Sequence, residues 1–572
     1  MAFDELTTRV RKWIEGDPDP ETRRELDALL DAGDLVALGE RMAGPLEFGT
    51  AGIRGAVGAG PSRMNRAVII RTTRGLADVL LERSGGRVDR PVVVGRDARL
   101  SSEPLAADTV GVLAAAGIQV LVFGSHVPTP LVAHAAKRLG AEAAVVVTAS
   151  HNPPADNGYK VYDSNSAQII PPLDQRIADA IERVGPAAEV PMLDPGEWAP
   201  PLVEPVPDDT ESAYIEEVMA ARTSPGGRAQ SIVYTPLHGV AGSLTRRALT
   251  EAGHGDIAIV PEQETPDGRF PTVRFPNPEE PGALDLAVAM ATERDADLIL
   301  ANDPDGDRLA VALPAGEGWR QLTGNQVGVL MAAHILQHAP REPGPPPMVL
   351  SSVVSTPLLG QIAAAHNAHW EPTLTGFKWI WNAALALQDQ GRGRFVFGFE
   401  EALGYSVGQV VRDKDGISAA VVLADISTRA ASSGRSLWDL LGDLAGRHGL
   451  WVSAQHAVTR SGADGPSEIG GAVDRVAAAP PQILGGMTVT DVSDLRTGGA
   501  SRPPWLPDTD LVELRFGSEG RALVRPSGTE PKLKIYVDLR LDPPSGSFIE
   551  ADDAGRAKAA AIGAQLAAEL GL

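Results

Sequence analysis

From about residue 40 to beyond residue 400 the chain alternates short apolar runs with Ala- and Leu-rich stretches, and no other feature limits its fold as much. Pro91-Val92-Val93-Val94, Ala144-Val145-Val146-Val147 and Leu298-Ile299-Leu300 read as buried strands. The stretches between them read as helices. Strand and helix in alternation specify α/β layers with mostly parallel sheets. Ahead of the alternation, Trp13, Ile14, Leu26, Leu29 and Leu30 fall near a helical period among charged residues.

The length, 572 residues, suggests roughly four domains of about 150 residues each. A stretch from about Gly185 to Asp209 carries Pro186, Pro191, Pro195, Pro200, Pro201, Pro205 and Pro207 and reads as a linker. The run Pro340 to Pro347 reads as a surface loop near the start of a third domain. From about Leu440 the strands are more scattered, and the chain ends in an Ala-rich helix from about Asp552 to Leu570. The expected fold is therefore α/β: three similar α/β domains with mixed sheets, over 1–208, 209–322 and 323–438, and a C-terminal α+β domain over 439–572. Three polar loops each follow an apolar strand: Thr148–Pro154, Asn302–Arg308 and Gly398–Gly404. Open α/β sheets bind ligands at the carboxyl ends of their strands, so three such loops could face one cleft.

Composition removes several functions. The net charge of −23 is a poor footprint for nucleic acid or for an anionic membrane surface. An anionic substrate would need local Arg and Lys clusters or a metal. There are no cysteines, so disulfides, thiolate nucleophiles and Cys-based metal sites are excluded. No signal peptide is apparent, and no apolar run approaches the ~20 residues that span a bilayer. A cytoplasmic protein, monomer or homodimer, is the expectation.

Ser150 follows a strand and precedes His151-Asn152-Pro153-Pro154, a run that predicts an exposed turn. A serine is a weak nucleophile unless helped, and His151 and Lys160 are candidate helpers. Taken alone, this segment is better explained by an ordinary loop with an Asn-Pro turn. Asn302-Asp303-Pro304-Asp305-Gly306-Asp307-Arg308 places carboxylates at alternate positions, which in an extended loop point to one side. They could converge on one hard cation. A calcium loop fails here: Arg308 stands at the sixth position where glycine is needed, and Pro314 stands at the twelfth. Solvated acids in a turn are the weaker alternative.

Arg525-Pro526-Ser527-Gly528-Thr529-Glu530-Pro531-Lys532 lies between two apolar runs, and its backbone amides, hydroxyls and arginine could cradle an oxyanion. A polar hairpin is the alternative. Glu400 and Glu401 follow the strand Phe395-Val396-Phe397, and acids accept hydrogen bonds from sugar hydroxyls. A helix-start acid pair would look the same. Gly49–Gly55 resembles a phosphate loop without the Walker ending, and Thr375-Gly376-Phe377-Lys378 sets a lysine on a glycine turn.

In order, Phe48–Gly55, Gly95-Arg96-Asp97, Thr148–Pro154, Asp303–Arg308, Thr375–Lys378, Gly398–Gly404 and Arg525–Pro531 resemble the α-D-phosphohexomutase superfamily, the phosphoglucomutases and phosphomannomutases. Gly-Phe-Glu-Glu-Ala-Leu-Gly-Tyr and Thr-Gly-Phe-Lys-Trp-Ile look more like the branch with long phosphoglucomutases and phosphopentomutases. The resemblance implies four domains around one central cleft. It implies a phosphoserine at Ser150, and magnesium on Asp303, Asp305 and Asp307 that also touches that phosphoserine. Arg525, Ser527, Gly528 and Thr529 would hold the phosphate not being transferred. Glu401, with Glu400 beside it, would meet sugar hydroxyls, and Arg308 would also face the substrate. Arg54, Lys160 and Lys378 would neutralise phosphate or move protons, and His151 would sit beside the reacting oxygen.

The implied reaction moves a phosphoryl group between O1 and O6 of a hexose, glucose 1-phosphate to glucose 6-phosphate, through a sugar 1,6-bisphosphate that is both intermediate and activator. Mannose and pentose phosphates are the alternatives within the enzyme class, and a non-catalytic phosphosugar binder is the alternative outside it. The sequence departs from the family at Leu403, where many members carry serine, at Tyr405, where some carry histidine, and at Trp381, a position that is often small. These departures bear on sugar choice.

Overall fold

The computed structural model describes residues 3–49, 52–339, 343–460, 465–526 and 532–572. They form two compact units, one of Met1–Arg222, Ala229–Leu322 and Gly404–Val421, the other of Thr223–Arg228, Thr323–Leu403 and Val422–Leu572.

The first unit opens with helices Phe3–Gly16, Pro20–Ala32 and Leu35–Arg41, as the periodicity indicates. Asp19 caps the second by accepting from the Glu21 N–H, Pro20 sits at its first position, and left-handed Gly33 ends it. Leu6, Val10, Leu26 and Leu38 bury together beneath these helices.

The first sheet contains β1 (Ile53–Ala56), β2 (Val92–Arg96), β3 (Val120–Val122), β4 (Ala143–Val147), β5 (Asp156–Tyr162) and β6 (Val203–Pro205), in the order β1-β5-β4-β2-β3-β6. Strands β4, β2, β3 and β6 are parallel, while β5 runs antiparallel to both of its neighbours, β4 and β1. Every residue of β4 is buried, which is why it reads as a continuous apolar run. The proline-rich stretch expected as a linker is instead part of this fold. Its β6 pairs with β3, and Leu193, Trp198 and Leu202 pack against the core. Proline suits β6 because it is an edge strand with no further neighbour to serve.

The second sheet holds β7 (Ile232–Thr235), β8 (Ile257–Ile259), β9 (Leu298–Asn302), β10 (Leu309–Ala315) and β11 (Gly318–Gln321), ordered β11-β10-β9-β7-β8. Strands β8, β7 and β9 are parallel, and β10 returns antiparallel to β9. The serine loop and the acidic loop thus have one topology: each leaves the carboxyl end of a parallel strand and returns through an antiparallel neighbour. That return keeps both loops short.

In the second unit β12 (Pro347–Ser352), β13 (His369–Thr373) and β14 (Arg394–Glu400) lie parallel in the order β13-β12-β14. Strand β15 (Gly404–Val407), which follows, belongs to the first unit. Glu400 is the last residue of β14, so the turn expected from Gly398 starts only at Glu401. The C-terminal region is α+β as expected. After β16 (Leu450–Thr459) and a small hairpin of β17 (Ile483–Leu484) and β18 (Met487–Thr488) come β19 (Asp491–Asp494), β20 (Val512–Arg515), β21 (Gly520–Pro526) and β22 (Lys532–Leu541). They form an antiparallel sheet, β16-β22-β21-β20-β19, and the helix Phe548–Glu569 packs Ile562 and Leu566 into its core. Among the described residues no helix is long and apolar enough to cross a membrane.

Candidate active site

Strand β4 delivers Thr148-Ala149-Ser150 to the carboxyl edge of the first sheet. The Ser150 N–H donates to Thr148 Oγ1 (2.9 Å), and that hydroxyl donates to Asp97 Oδ2 (2.7 Å), just past β2. Ser150 itself is left-handed, with φ 51°. This conformation turns Oγ toward Asp303 Oδ2, to which it donates at 2.6 Å. The His151 Nδ1 lies 3.1 Å from the same Oγ, so the neighbouring pair does make the contact that adjacent residues rarely make. Contrary to the expectation of an exposed turn, Ser150 itself is buried, at 1% exposed, while His151–Pro154 are half-buried.

The acidic loop turns on Gly306, at φ 73°, where a Cβ would stand 2.7 Å from the Ala241 Cβ. The turn, more than simple extension, brings one oxygen each from Asp303, Asp305 and Asp307 within 4.8 Å of one another. All three are fully buried. Asp303 Oδ1 accepts from the Arg308 N–H (3.0 Å). Asp305 Oδ2 accepts from Thr129 Oγ1 (2.7 Å) and Lys160 Nζ (2.6 Å). Asp307 Oδ2 accepts from Lys160 Nζ (2.7 Å), and Lys414 Nζ stands 3.1 Å away.

Charge is unevenly shared in this cluster. Burial, with Asp305 and Asp307 close by, pushes the Asp303 carboxyl well above the usual carboxylate range. Burial also opposes ionisation of Asp307, but Lys160, Lys414 and Arg308 overcome it and hold that carboxyl low. Asp305 is low as well: burial and Asp307 raise it, and Lys160 outweighs them. His151 is held well below the usual imidazole value by burial, Arg308 and Arg54, so its ring is neutral.

These residues fit a divalent cation. Oδ1 of Asp305 and Oδ1 of Asp307 are buried and take no hydrogen bond from any of the described residues. A buried carboxylate oxygen left without a donor is costly, and a cation satisfies it. The donors are all carboxylate oxygens, which select a hard ion such as magnesium over zinc or copper.

Other expected residues fall in two groups. Arg54, on β1, donates from Nη1 to Asn152 Oδ1 (3.0 Å) and so lies against the serine loop. Lys160, on β5, meets the aspartates and not Ser150, as does the Arg308 side chain, whose Nε is 3.9 Å from Asp307 Oδ1. Ser150, His151, Arg54, Lys160, the aspartates and Arg308 form one cluster in the first unit.

The second unit gathers the others. Glu401 Oε2 accepts from Ser352 Oγ and Ser355 Oγ, both at 3.0 Å. Glu400 Oε1 accepts from the Gly376 N–H (2.6 Å), so that carboxylate braces the turn that carries Lys378. Arg525 Nη1 is 3.5 Å from Thr375 Oγ1. Tyr536 is pushed up by burial and by Glu401. Leu403 is buried at φ 61°. Ser527, Gly528 and Thr529 lie outside the described residues.

Sequence reasoning missed Thr129, Lys414 and Arg99. Thr129 starts a helix with its own N–H and hydroxyl on Asp305. Arg412-Asp413-Lys414-Asp415-Gly416 is a dense charge run directly before a helix, which was a usable signal. Arg99 gave none beyond its place after Gly95-Arg96-Asp97.

Sequence models of the phosphoglucomutase/phosphomannomutase α/β/α domains I, II and III match residues 45–187, 212–316 and 323–447, and that of the C-terminal domain matches 489–543. The chain belongs to the phosphoglucomutase/phosphomannomutase family. It is 37% identical to the probable phosphoribomutase of Schizosaccharomyces pombe, over 94% of each chain. It is 38% identical to the probable phosphomannomutase of Haemophilus influenzae, over 83% of this chain and 93% of that one. The phosphopentomutase of Mus musculus is 34% identical, over 94% of this chain and 91% of its own. The chain is thus a phosphomutase of this family, acting on small phosphosugars. Glucose specificity, expected above, gains no support from these relatives; the pentose and mannose alternatives do.

Proposed function

We propose that this protein moves a phosphoryl group between the anomeric and the primary hydroxyl of a pentose phosphate, by way of phosphorylated Ser150. One observation carries the reading: Ser150 Oγ is aimed at an aspartate of a buried carboxylate triad that has two oxygens without donors.

Phosphorylated Ser150 faces the free hydroxyl of a sugar monophosphate. The P–Oγ bond breaks, a bond from phosphorus to the sugar oxygen forms, and the hydroxyl proton leaves to a base. The product is a sugar bisphosphate. It reorients and returns its other phosphate to Ser150. In the unphosphorylated enzyme the serine proton is directed at Asp303 Oδ2, and His151, neutral and 3.1 Å from Oγ, stands beside the reacting oxygen. Asp303, Asp305 and Asp307 would hold magnesium, which supplies charge neutralisation on the phosphoryl oxygens. Like charges ~4 Å apart repel by about 4 kcal/mol at an effective dielectric of 20, so two phosphates need that cation and the nearby arginines. Arg54 adds positive charge beside the serine loop, and Lys160 adds it beside the aspartates. Glu401 accepts from a sugar hydroxyl, and Arg525 with Ser527, Gly528 and Thr529 grips the phosphate at rest.

Pentose specificity is supported by the full-length similarity to a phosphoribomutase and a phosphopentomutase. Glucose or mannose phosphate is the second reading, favoured by the similarity to a phosphomannomutase. Turnover on ribose, glucose and mannose 1-phosphates, each primed with bisphosphate, tests the choice. The highest kcat/KM is expected for ribose 1-phosphate; a preference for a hexose would replace the pentose reading, and no turnover on any sugar would end the mutase reading.

A further inference from the structure

The aim of Ser150 depends on its backbone, and a left-handed serine is disfavoured because its Cβ crowds the chain. Something must hold it. On the N–H side the hold is Thr148, itself fixed by Asp97. On the carbonyl side it is Arg99. This side chain is buried, and its guanidinium donates to four backbone carbonyls of one turn: Nη2 to Ser150 O (2.7 Å) and Asn152 O (2.7 Å), Nη1 to Pro153 O (2.7 Å) and Asp156 O (2.9 Å). Its Nε is 3.3 Å from Asp97 Oδ2, so one carboxylate anchors both sides of the serine. A planar fork with five donors suits this task, and lysine cannot reproduce it.

The guanidinium is also held from the second sheet's side of the same unit. Its Cζ lies 5.2 Å from the centroid of the Phe270 ring, and Phe270 is itself left-handed, at φ 49°. Gly268 permits the approach, since a Cβ there would stand 2.5 Å from the Ala98 carbonyl oxygen. Two residues on, Thr272 Oγ1 is 2.8 Å from His238 Nε2, in the loop whose Val240 N–H donates to the Pro304 carbonyl of the acidic loop. The segment 268–272 therefore touches the supports of both loops.

We infer that Arg99 is a positioning residue for phosphoryl transfer, holding the 150–156 turn so that the serine oxygen stays on Asp303. The inference rests on the reading of Ser150 as the phosphoryl carrier. An arginine that merely stabilises a turn would change melting temperature and leave the kinetics of the folded enzyme alone. One that positions the reacting oxygen changes kcat and spares substrate binding.

The test is steady-state kinetics of Arg99→Met and Arg99→Lys beside the wild type, with thermal melts of each. Displacing a reacting atom by about 1 Å costs around a hundredfold, and that fall in kcat is expected for Arg99→Met, with KM within about twofold and a smaller fall for Arg99→Lys. A folded Arg99→Met with wild-type kcat, or a loss that lies wholly in KM, overturns the inference. If Arg99→Met does not fold, Phe270→Leu decides, because it leaves every hydrogen bond in place. There a roughly three- to tenfold lower kcat at unchanged KM supports positioning, and a wild-type kcat overturns it. A wild type that turns over no phosphosugar ends the functional reading and this inference with it, whereas an active wild type with an equally active variant ends this inference alone.

Discussion

The serine–aspartate cluster and the Glu401 cluster are built to different tolerances. In the first, Ser150, Lys160 and the three aspartates are at most 1% exposed, and the carboxylate oxygens either have donors or face the place a cation would take. In the second, Glu401 and Arg525 are partly exposed, and Glu401 is steadied by two small hydroxyls. A phosphoryl group moved between oxygens needs fixed charge and fixed geometry, and burial supplies both. Recognising a sugar needs hydrogen bonds that a changed hydroxyl pattern can share. On the proposed reading, the first cluster sets the reaction and the second sets the sugar.

Asp305→Asn is the strongest attempt to break the contrast. It removes a carboxylate from a buried triad and takes away one of the two carboxylates that hold Lys160. Turnover is expected to fall by about a thousandfold. Chelator treatment of the wild type should have a similar effect, reversed by magnesium, and full activity in excess chelator would remove the cation from the account. Glu401→Gln should be milder and of another kind. A hydrogen bond to a charged group is worth about 1.5–3 kcal/mol, so kcat/KM should drop roughly ten- to hundredfold. Phosphorylation of Ser150 by a bisphosphate should still occur; its loss in this variant would erase the distinction between the clusters. Ser355→Ala removes one of two hydroxyls on Glu401. A several-fold change in kcat/KM, about 1 kcal/mol, is expected, and the ratio between ribose and glucose phosphates should shift more than either rate. An unchanged ratio would count against Glu401 as the sugar contact.

A last effect is on stability and lies in the second unit. His334 is drawn down to about 4 by burial and by the nearby His338 and Arg429, from an ordinary 6.5. The unfolded chain therefore takes up this proton first. The His334 contribution to stability is complete above about pH 6.5 and declines as pH falls toward about 4, by at most about 1.4 kcal/mol per unit. His334→Gln should flatten that slope in denaturant melts of the full chain; an unaltered slope would show that another group sets it.

Much of this was legible in the sequence because it lay in composition and order. The apolar runs marked β2, β4 and β9 because strands buried on all sides must be apolar. Three acids at alternate positions marked the triad, and the missing calcium-loop residues narrowed the ion. The proline-rich stretch misled, since proline at an edge strand and proline in a linker look alike in one dimension. Ser150 was expected in an exposed turn; its burial comes from Asp303, 153 positions away in sequence, and such closure leaves no local trace. Arg99 and Thr129 were silent for the same reason. Lys414 stood in plain sight between Asp413 and Asp415, but a charge run before a helix reads first as solvated surface.

The account turns on a covalent phosphate at Ser150. Its direct measurement is intact mass with phosphopeptide mapping, after the purified protein and its Ser150→Ala variant are each incubated with ribose 1,5-bisphosphate or glucose 1,6-bisphosphate and magnesium. One phosphate is expected on the wild type, mapped to Ser150, absent from the variant, and discharged when ribose 1-phosphate is added. A wild type that gains no phosphate, or a variant that gains as much as the wild type, would contradict the account.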